Sequence, residues 1–368
     1  MNSPLQQPQR VLGLDVFRGI TMAFMVLVGN PGSLSIYSQL DHAAWNGWTL
    51  TDVVFPTFLW IVGASISLSI GRKTARGESR LTIVLQAFKR SAILYAIGVF
   101  IYAIGSFDLS TLRLLGVLQR VAICSFISTL IYLCASLRKQ LVVVAVLLVS
   151  YWLILVYVPV PGYGPGDLGI EGNVAHYVDR IVLGSHNYSG TGSWDPEGLL
   201  STIPAIATTL LGVIAGELLR RKQSLNRHTL QMLALGVALA LCGLIASHWM
   251  PINKKLWTDS FCLLMAGIDF AVFAALHWII DGHRRGKGLA LPLAFGQNAL
   301  AVYVISEVSG AILWSYPHSL PMHGRIFSAL FGSVRPAELG SLLYALSTLA
   351  VIAAAAFYMH RRNWIVRI

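Results

Sequence analysis

A histidine with acidic, amide and indole neighbours precedes one of the most apolar runs of the chain. His42 lies in the stretch LDHAAWNGWTLTDVVFPTFLW, residues 40–60, together with Trp45, Asn46 and Asp52. An imidazole can take up and release a proton near neutral pH, or carry an acyl group transiently. The same residue types also occur in the aromatic belt of membrane proteins, and residue types alone favour that second interpretation. The meaning of this stretch therefore depends on the elements that surround it.

Asn30, at the end of an earlier apolar run, is another polar side chain that could take part in such chemistry. Its amide can donate a hydrogen bond to a developing oxyanion, or it can only cap a helix before Pro31 and Gly32. Ionisable residues inside apolar runs are costly in a membrane and suggest a site, although a polar contact between helices is the ordinary alternative. They are Asp15, Arg18, Asp52, Arg120, Asp269, His277 and Glu307.

The composition is that of a membrane protein. The chain has 368 residues and is 55% hydrophobic and 12% charged, whereas soluble domains carry about 25% charged residues. Apolar windows of about 20 residues predict an all-α integral membrane protein with about ten transmembrane helices in one bundle. No linker or repeat divides residues 1–368, so we expect one transmembrane domain, and the polar leader lacks a signal cleavage site. The predicted spans are 13–30, 51–71, 91–107, 114–137, 140–160, 197–219, 229–249, 257–280, 291–314 and 339–359.

Lysine and arginine residues concentrate in alternate connections, which predicts the orientation of the bundle. The basic connections include RKTARGESR, RRKQSLNR and HRRGKG, and the positive-inside rule places them, with both termini, in the cytoplasm. External loops are then expected at about 31–50, 161–196 and 315–338, with a short surface helix at VAHYVDRIVLG. The net charge of +11 is explained by anionic lipid headgroups, or in part by a phosphate-bearing cytosolic ligand, and we expect no nucleic acid partner.

Several common catalytic patterns do not occur in the sequence. There is no HxxxH, CxxC or HExxH pattern, no GxSxG nucleophile elbow and no phosphate loop ending in GKS or GKT. The ten histidines form no convincing metal-ligand spacing, so we expect no metal.

Six motifs follow one another along nearly the whole chain, from about Arg10 onward. They are LDVFRGITMAFMVLVGNPG, HAAWNGWTLTDVVFPTFLWIVGASISLS, LRLLGVLQR, WDPEGLLSTIPAIATTLLGVIAGE, NKKLW and FGQNALAVYVISEV. Together they resemble the heparan-α-glucosaminide N-acetyltransferase family and its bacterial relatives.

The resemblance implies acetyl transfer across a membrane. Members of the family take acetyl-CoA from the cytosolic side and acetylate the amino group of a terminal glucosamine on the other side. The family's active-site histidine falls on His42 in HAAWNG, and its partner asparagine falls on Asn30, although the loop between them is slightly longer here. The extra N-terminal luminal region of the lysosomal member is missing, which favours a bacterial protein of the inner membrane whose acceptor side is the periplasm.

The resemblance and the residue types together give expected roles. The donor, acetyl-CoA, is predicted to contact Arg18, Arg120 and Asn298 on its way through the bundle. His42 acts as a base, or carries the acetyl group first, and both routes stay open, with Asn30 stabilising the oxyanion. Besides the amino sugar and acetyl-CoA, membrane lipids are expected partners, and a homodimer and the identity of the sugar stay open. The predicted acceptor contacts are Trp45, Asn46, Asp52, Asp195 and Glu197.

Two other classes of protein compete with this prediction. A permease for N-acetylglucosamine or a related amino sugar would use intramembrane carboxylates such as Asp269 and Glu307, and Pro292 and Gly296 could break the ninth span. Against a permease, no paired broken spans are visible in two related halves. A scaffold protein would leave His42 and the external tryptophans without a role.

Overall fold

A computed structural model describes residues 11–104, 107–282, 288–316 and 321–366, and these ranges are helical and contain no β-strand. Two isolated bridges are the only strand-like pairings among them. The helices are α1 (Leu12–Gly29), α2 (Leu50–Ala75), α3 (Arg80–Ala103), α4 (Val117–Cys134), α5 (Leu137–Tyr157), α6 (Val174–Val182), α7 (Thr202–Arg220), α8 (Leu225–Ala246), α9 (Asp259–Leu276), α10 (Ala290–Gln297), α11 (Ala299–Ser315), α12 (Met322–Leu330) and α13 (Ala337–Arg361).

Within the described ranges, nine helices are long and apolar enough to cross a membrane, and the count rises to ten if α10 and α11 form one bent span. The all-α membrane fold is therefore confirmed. The ninth predicted span is broken at Asn298, where α10 and α11 meet at 80°. Pro292 does not break it, because it lies in the first turn of α10, where a missing N–H leaves no helical hydrogen bond unmade.

The third helix begins earlier than its apolar run predicts. It starts at Arg80 instead of residue 91, and the hydroxyl of Ser79 accepts a hydrogen bond from the backbone N–H of Thr82 at 3.1 Å. An N-cap of this kind satisfies one of the unpaired donors of the first turn. The polar first turns that include Lys89 and Arg90 are thus helical although they are not apolar.

Alternate connections meet at the same end of the bundle. The loop after α1 contacts the loop before α9, since Gly47 N–H donates to Ile252 O at 2.8 Å, and Leu114 N–H donates to His186 O at 3.3 Å. We call this the His42 end; among the described residues it contains 30–49, 107–116, 158–201, 247–258 and 321–336. The other end, which we call the basic end, carries the arginine- and lysine-rich connections after α2, α4 and α7. The basic residues of the predicted connection HRRGKG lie outside the described residues.

Two short helices lie in the loops of the His42 end. The predicted surface helix is present as α6, and its N-cap Asn173 accepts a hydrogen bond from His176 N–H at 2.8 Å. The second, α12, lies in the predicted loop 315–338. Both pack against spanning helices: α6 shares a buried cluster with Tyr151 and Leu155 of α5, and Phe327 of α12 lies against Tyr344 of α13.

The helices α2 and α7 lie at the centre of the bundle. About two thirds or more of their most apolar stretches are buried, at 67% and 72%, whereas α3, α8 and α13 bury only 22% and present the rest to the lipid. The two central helices approach closely through small residues. A Cβ built on Gly63 would lie 1.9 Å from Thr209 O, and one on Gly212 would lie 1.9 Å from Trp60 O. Glycine lets two backbones touch and so gains packing contacts, which drive helix association in lipid.

Candidate active site

His42 and Asp52 form a close pair at the His42 end. His42 Nδ1 lies 2.7 Å from Asp52 Oδ1. The Asp52 side chain is buried and its other oxygen accepts hydrogen bonds from Ala43 N–H at 3.0 Å and Thr49 N–H at 3.1 Å. Asp52 is the third residue of α2, so a carboxylate there both caps the helix and holds the loop that carries His42. It therefore orients the imidazole and caps α2 at the same time.

This pair indicates which nitrogen of the His42 imidazole carries the hydrogen. An ionised carboxylate only accepts hydrogen bonds, so His42 Nδ1 carries the hydrogen and donates it to Asp52. The lone pair is then on Nε2. The His42 side chain is 49% exposed while that of Asp52 is 2% exposed, so Nε2 is accessible to a reactant from the loop side. An accessible nitrogen of this kind can act as a general base or as a nucleophile.

A lysine from a distant part of the chain completes the group. Lys254 Nζ lies 3.2 Å from His42 Nδ1, 3.5 Å from His42 Nε2 and 3.7 Å from Asp52 Oδ1. Burial lowers the pKa of Lys254 below its usual value, although the charges of Asp52 and Glu197 act in the opposite direction. The sequence offered one signal for this residue, because it stands in the NKKLW motif, but no role followed from the motif.

The HAAWNG loop is held against the NKKLW loop by polar contacts. Asn253 Nδ2 donates to Asn46 Oδ1 at 3.1 Å, and Lys255 Nζ donates to Ala44 O at 2.6 Å. With the backbone bond from Gly47, these contacts fix the position of His42 relative to Lys254. Asn46, predicted to contact the acceptor, has its amide oxygen engaged in this loop contact.

Trp45 is packed into the loops of the His42 end. Its Nε1 donates to Leu168 O at 3.0 Å, and its ring lies edge-on to the rings of His176 and Trp194. Trp45 therefore joins the HAAWNG loop to the segment around α6. Trp48, which is 39% exposed, presents a freer ring for stacking on a sugar.

The predicted acceptor carboxylates Asp195 and Glu197 lie together around Arg113. Arg113 donates to both oxygens of Asp195, at 2.7 and 2.6 Å, and to Glu197 Oε2 at 2.6 Å. Both oxygens of Asp195 are thus occupied, and Arg113, which the sequence did not single out, organises the pair. Glu197 lies before α7, not within a span as predicted. Burial favours its neutral form, but the charges of Arg113, Arg120 and Lys254 outweigh burial and lower the pKa of Glu197.

Asn30 ends α1 at the same side of the bundle. Its Nδ2 donates to Val26 O at 2.8 Å and to Ser306 Oγ at 2.9 Å. The bond to Val26 is the capping contact that competed with an oxyanion role, and the bond to Ser306 connects α1 to α11. In the part of the chain that the structure describes, no hydrogen bond joins Asn30 to His42.

The three residues predicted to contact acetyl-CoA lie apart from one another. Arg18 is where α1, α2 and α10 meet; it pairs with Asp15 at 3.2 Å and donates to Ser65 Oγ at 2.6 Å. Arg120 is buried, stacks over Trp257 and donates from Nη2 to Gly198 O and Ser201 Oγ, while Nε and Nη1 have no partner among the described residues. Asn298 lies at the break between α10 and α11, where its Oδ1 accepts from Val366 N–H at 3.1 Å.

The fold and the site define a multi-pass helical membrane protein with an oriented histidine at the mouth of the bundle. Residues 10–252 match the family model described as heparan-alpha-glucosaminide N-acetyltransferase, catalytic. The curated human heparan-alpha-glucosaminide N-acetyltransferase is 33% identical over 356 aligned residues, which cover 82% of this chain and 53% of the human protein. The mouse protein of the same name is also 33% identical, over 81% of this chain and 53% of its own length.

The chain therefore belongs to the heparan-alpha-glucosaminide N-acetyltransferase family, and it spans about half the length of the curated relatives. The match to the family model contains the whole HAAWNG loop and α2, so it includes His42 and Asp52.

Proposed function

We propose that the protein is a transmembrane N-acetyltransferase. It takes the acetyl group of acetyl-CoA at the basic end and transfers it to the amino group of a glucosamine-type sugar at the His42 end. The observation that carries the proposal is the His42–Asp52 pair, in which the carboxylate holds Nδ1 at 2.7 Å and Nε2 is left accessible. Family membership supports the same reaction class.

The chemistry needs a base because a sugar amine is largely protonated at neutral pH and is then not nucleophilic. His42 Nε2 accepts a proton from the ammonium, the free amine attacks the thioester carbonyl, and the C–S bond breaks. The attacking nitrogen loses a second proton as the amide forms; one of the two protons ends on the CoA thiol and the other passes to water, and Asp52 stabilises the imidazolium that forms in between. In the alternative route Nε2 attacks the thioester first and the acetyl-imidazole then acetylates the amine. Both routes use the same nitrogen and the same carboxylate.

The acceptor fits the charges of the His42 end. Glu197 has one oxygen on Arg113, and its ionised state is favoured by three nearby cations, so it is the carboxylate best suited to bind an ammonium or a hydroxyl group. Asp195 holds Arg113, and Asn46 and Trp45 hold the loop. These residues therefore shape the acceptor site, while Glu197 and the exposed ring of Trp48 contact the sugar.

The donor enters from the basic end. Arginines and lysines are frequent there, which suits the phosphates of CoA. The crossing of α1, α2 and α10 is lined by Arg18 and Ser65, and Arg18 is 23% exposed, so it is the predicted donor contact that an entering ligand reaches most easily. Arg120 and Asn298 contact the donor further along the path.

Charge asymmetry supports a cytosolic location for the basic end. We keep the bacterial inner membrane as the location, with the periplasm at the His42 end. This orientation agrees with a donor made in the cytosol and an acceptor that does not cross the membrane.

The test is acetyl transfer by the purified protein. Protein in detergent is incubated with acetyl-labelled acetyl-CoA and a panel of amino sugars, and the N-acetylated product is measured. We expect product with wild type and none with His42→Ala. His248→Ala is the matched control, because His248 is an exposed histidine at the same end whose ring, among the described residues, bonds only to carbonyls of the last turn of α8. Equal product from His42→Ala and wild type would refute the proposal.

A permease for an amino sugar is the second candidate. The observation that favours it is the 80° break between α10 and α11 at Asn298, since broken helices line the substrate sites of many transporters. Only one such bent pair occurs in the described ranges, whereas those transporters carry two in related halves. Uptake of labelled sugar into proteoliposomes without an acetyl donor would support the permease.

A further inference from the structure

Lys254 places its own primary amine beside His42 Nε2, the nitrogen that we propose removes a proton from the acceptor amine. Its Nζ is 3.5 Å from His42 Nε2 and 3.2 Å from Nδ1. An acceptor amine that gives its proton to Nε2 must also come within hydrogen-bond distance of that nitrogen, so the two amines compete for the same base. The lysine side chain is 15% exposed, so it is held at the site and does not extend into solvent.

We propose that the site acetylates Lys254 when donor is bound and no acceptor amine is present. The inference rests on the proposed acetyltransferase function. His42 Nε2 takes one proton from the Lys254 ammonium, Nζ attacks the thioester carbonyl, and the C–S bond breaks. The amine loses a second proton as the amide forms. One of the two protons ends on the CoA thiol and the other passes to water, so the products are acetyl-lysine and free CoA.

The charges around Lys254 set the balance between the two forms of its amine. Asp52 and Glu197 favour the ammonium, whereas burial and the neighbouring Lys255 favour the neutral amine, and the net effect lowers the pKa of Lys254. A lower pKa increases the fraction of nucleophilic amine at a given pH. The geometry supplies both the nucleophile and the base that activates it.

Acetylation would stop the site from turning over. The amide has no charge, so the 3.7 Å contact with Asp52 is lost, and the acetyl group fills the space beside Nε2 that the acceptor amine needs. The enzyme would thus switch itself off when donor is plentiful and acceptor is scarce. An acceptor already in the site excludes the Lys254 amine from the acyl group and protects it.

The experiment uses the full chain in detergent with acetyl-CoA carrying a deuterated acetyl group. The protein is incubated with donor, with or without amino sugar, and its lysines are mapped by peptide mass spectrometry. We expect the label on Lys254, less of it when acceptor is present, and none in His42→Ala. Lys255 is the internal control, since burial also lowers the pKa of Lys255 but its Nζ binds Ala44 O instead of contacting His42.

Activity is measured on the same samples after the excess donor is removed. The transfer rate of wild type should fall by the fraction of Lys254 that is acetylated. The rate of Lys254→Arg, whatever its starting value, should not fall on incubation with donor, because a guanidinium is not acetylated under these conditions.

The outcomes separate this inference from the proposed function. Unlabelled Lys254 in a preparation that acetylates an amino sugar overturns the self-acetylation and leaves the function standing. Equal labelling of Lys254 in wild type and His42→Ala, or equal labelling of Lys254 and Lys255, also overturns it, because the reaction would then be uncatalysed. His42-dependent label without any sugar product supports self-acetylation and counts against the amino sugar as acceptor, whereas the absence of both products overturns both.

Discussion

At the residue scale, the site depends on the Asp52 carboxylate, which binds both the His42 ring and the backbone at the start of α2. Asp52 uses one oxygen for His42 and the other for the N–H groups of Ala43 and Thr49. The helix start and the imidazole are therefore positioned by the same side chain. A change that removes only its charge separates the two roles.

Asp52→Asn should keep the fold and lose most of the activity. The amide oxygen can still accept the backbone bonds, but it no longer balances the imidazolium that forms on His42. We expect kcat to fall by about 100-fold or more, with little change in the melting temperature. Asp41→Asn is the control, since the exposed Asp41 carboxylate accepts, among the described residues, a hydrogen bond only from the backbone N–H of His42. An Asp52→Asn variant with full activity would show that the Asp52 charge does not support His42 in either route.

Glu197→Gln should weaken acceptor binding. Loss of a charge-assisted bond to the sugar amine is expected to raise KM for the amino sugar about tenfold and to change kcat little. Because the pKa of Glu197 is lowered, its carboxylate stays ionised at pH values where an ordinary carboxyl begins to be protonated. The KM of wild type should therefore stay constant as pH falls from 7 to about 5. A KM that rises across this range, or one unchanged in Glu197→Gln, would contradict a binding role.

At the element scale, the start of α1 is held by a residue from the turn after α9. Asp281 accepts hydrogen bonds from Leu12 N–H at 2.8 Å and Gly13 N–H at 3.0 Å, and His277 Nδ1 lies 2.8 Å from the same carboxylate. Val11, the N-cap residue itself, makes no side-chain bond. The cap of α1 is therefore supplied by another helix.

Asp281→Ala should destabilise the bundle at its basic end. Two unpaired N–H groups and a lost carboxylate at a helix N-terminus correspond to about 2 kcal/mol of unfolding free energy. Thermal unfolding in detergent measures the effect, and Asp281→Asn, which keeps one of the two acceptor oxygens, should recover only part of it. Identical melting curves for wild type and Asp281→Ala would show that water replaces the cap without loss.

Close helix contacts make some glycines sensitive to even one methyl group. A Cβ on Gly212 would lie 1.9 Å from Trp60 O, and backbone cannot move aside cheaply. Gly212→Ala should reduce the yield of monodisperse protein in size-exclusion chromatography. Gly324→Ala is the control, because nothing lies within 4 Å of a Cβ there. Equal yields of the two variants would contradict the tight crossing of α2 and α7.

At the scale of the whole molecule, the distribution of basic residues predicts which end faces the cytosol. Ser110 at the His42 end and Lys222 at the basic end are both exposed. In intact cells a membrane-impermeant maleimide should label Ser110→Cys and should leave Lys222→Cys unlabelled until the cells are opened. The unmodified protein, with its own four cysteines, gives the background. Labelling of Lys222→Cys alone would reverse the orientation and place the donor on the wrong side.

Hydropathy and spacing were sufficient for the number and approximate position of the spans and for the short helix α6. They were insufficient where helix ends are polar, as at Arg80, because an N-cap extends a helix beyond its apolar run. They also did not place the break at Asn298. Pro292 is a possible helix breaker by residue type, but a proline in the first turn of a helix does not break it. The predicted span 197–219 also included Glu197, whereas α7 begins five residues later.

Composition, charge placement and motif order determined by themselves that this is a multi-pass membrane protein of one family and that His42 is its most promising histidine. Motifs and clusters of charge are read from short segments of the chain, and composition is a total over all its residues. Only the tertiary structure decided that Lys254 lies beside His42, that Trp45 packs against His176 and Trp194, and that Asn30 binds Ser306. Lys254 and His42 are 212 residues apart, and such contacts depend on which loops meet at one end of the bundle, a property that no local pattern encodes.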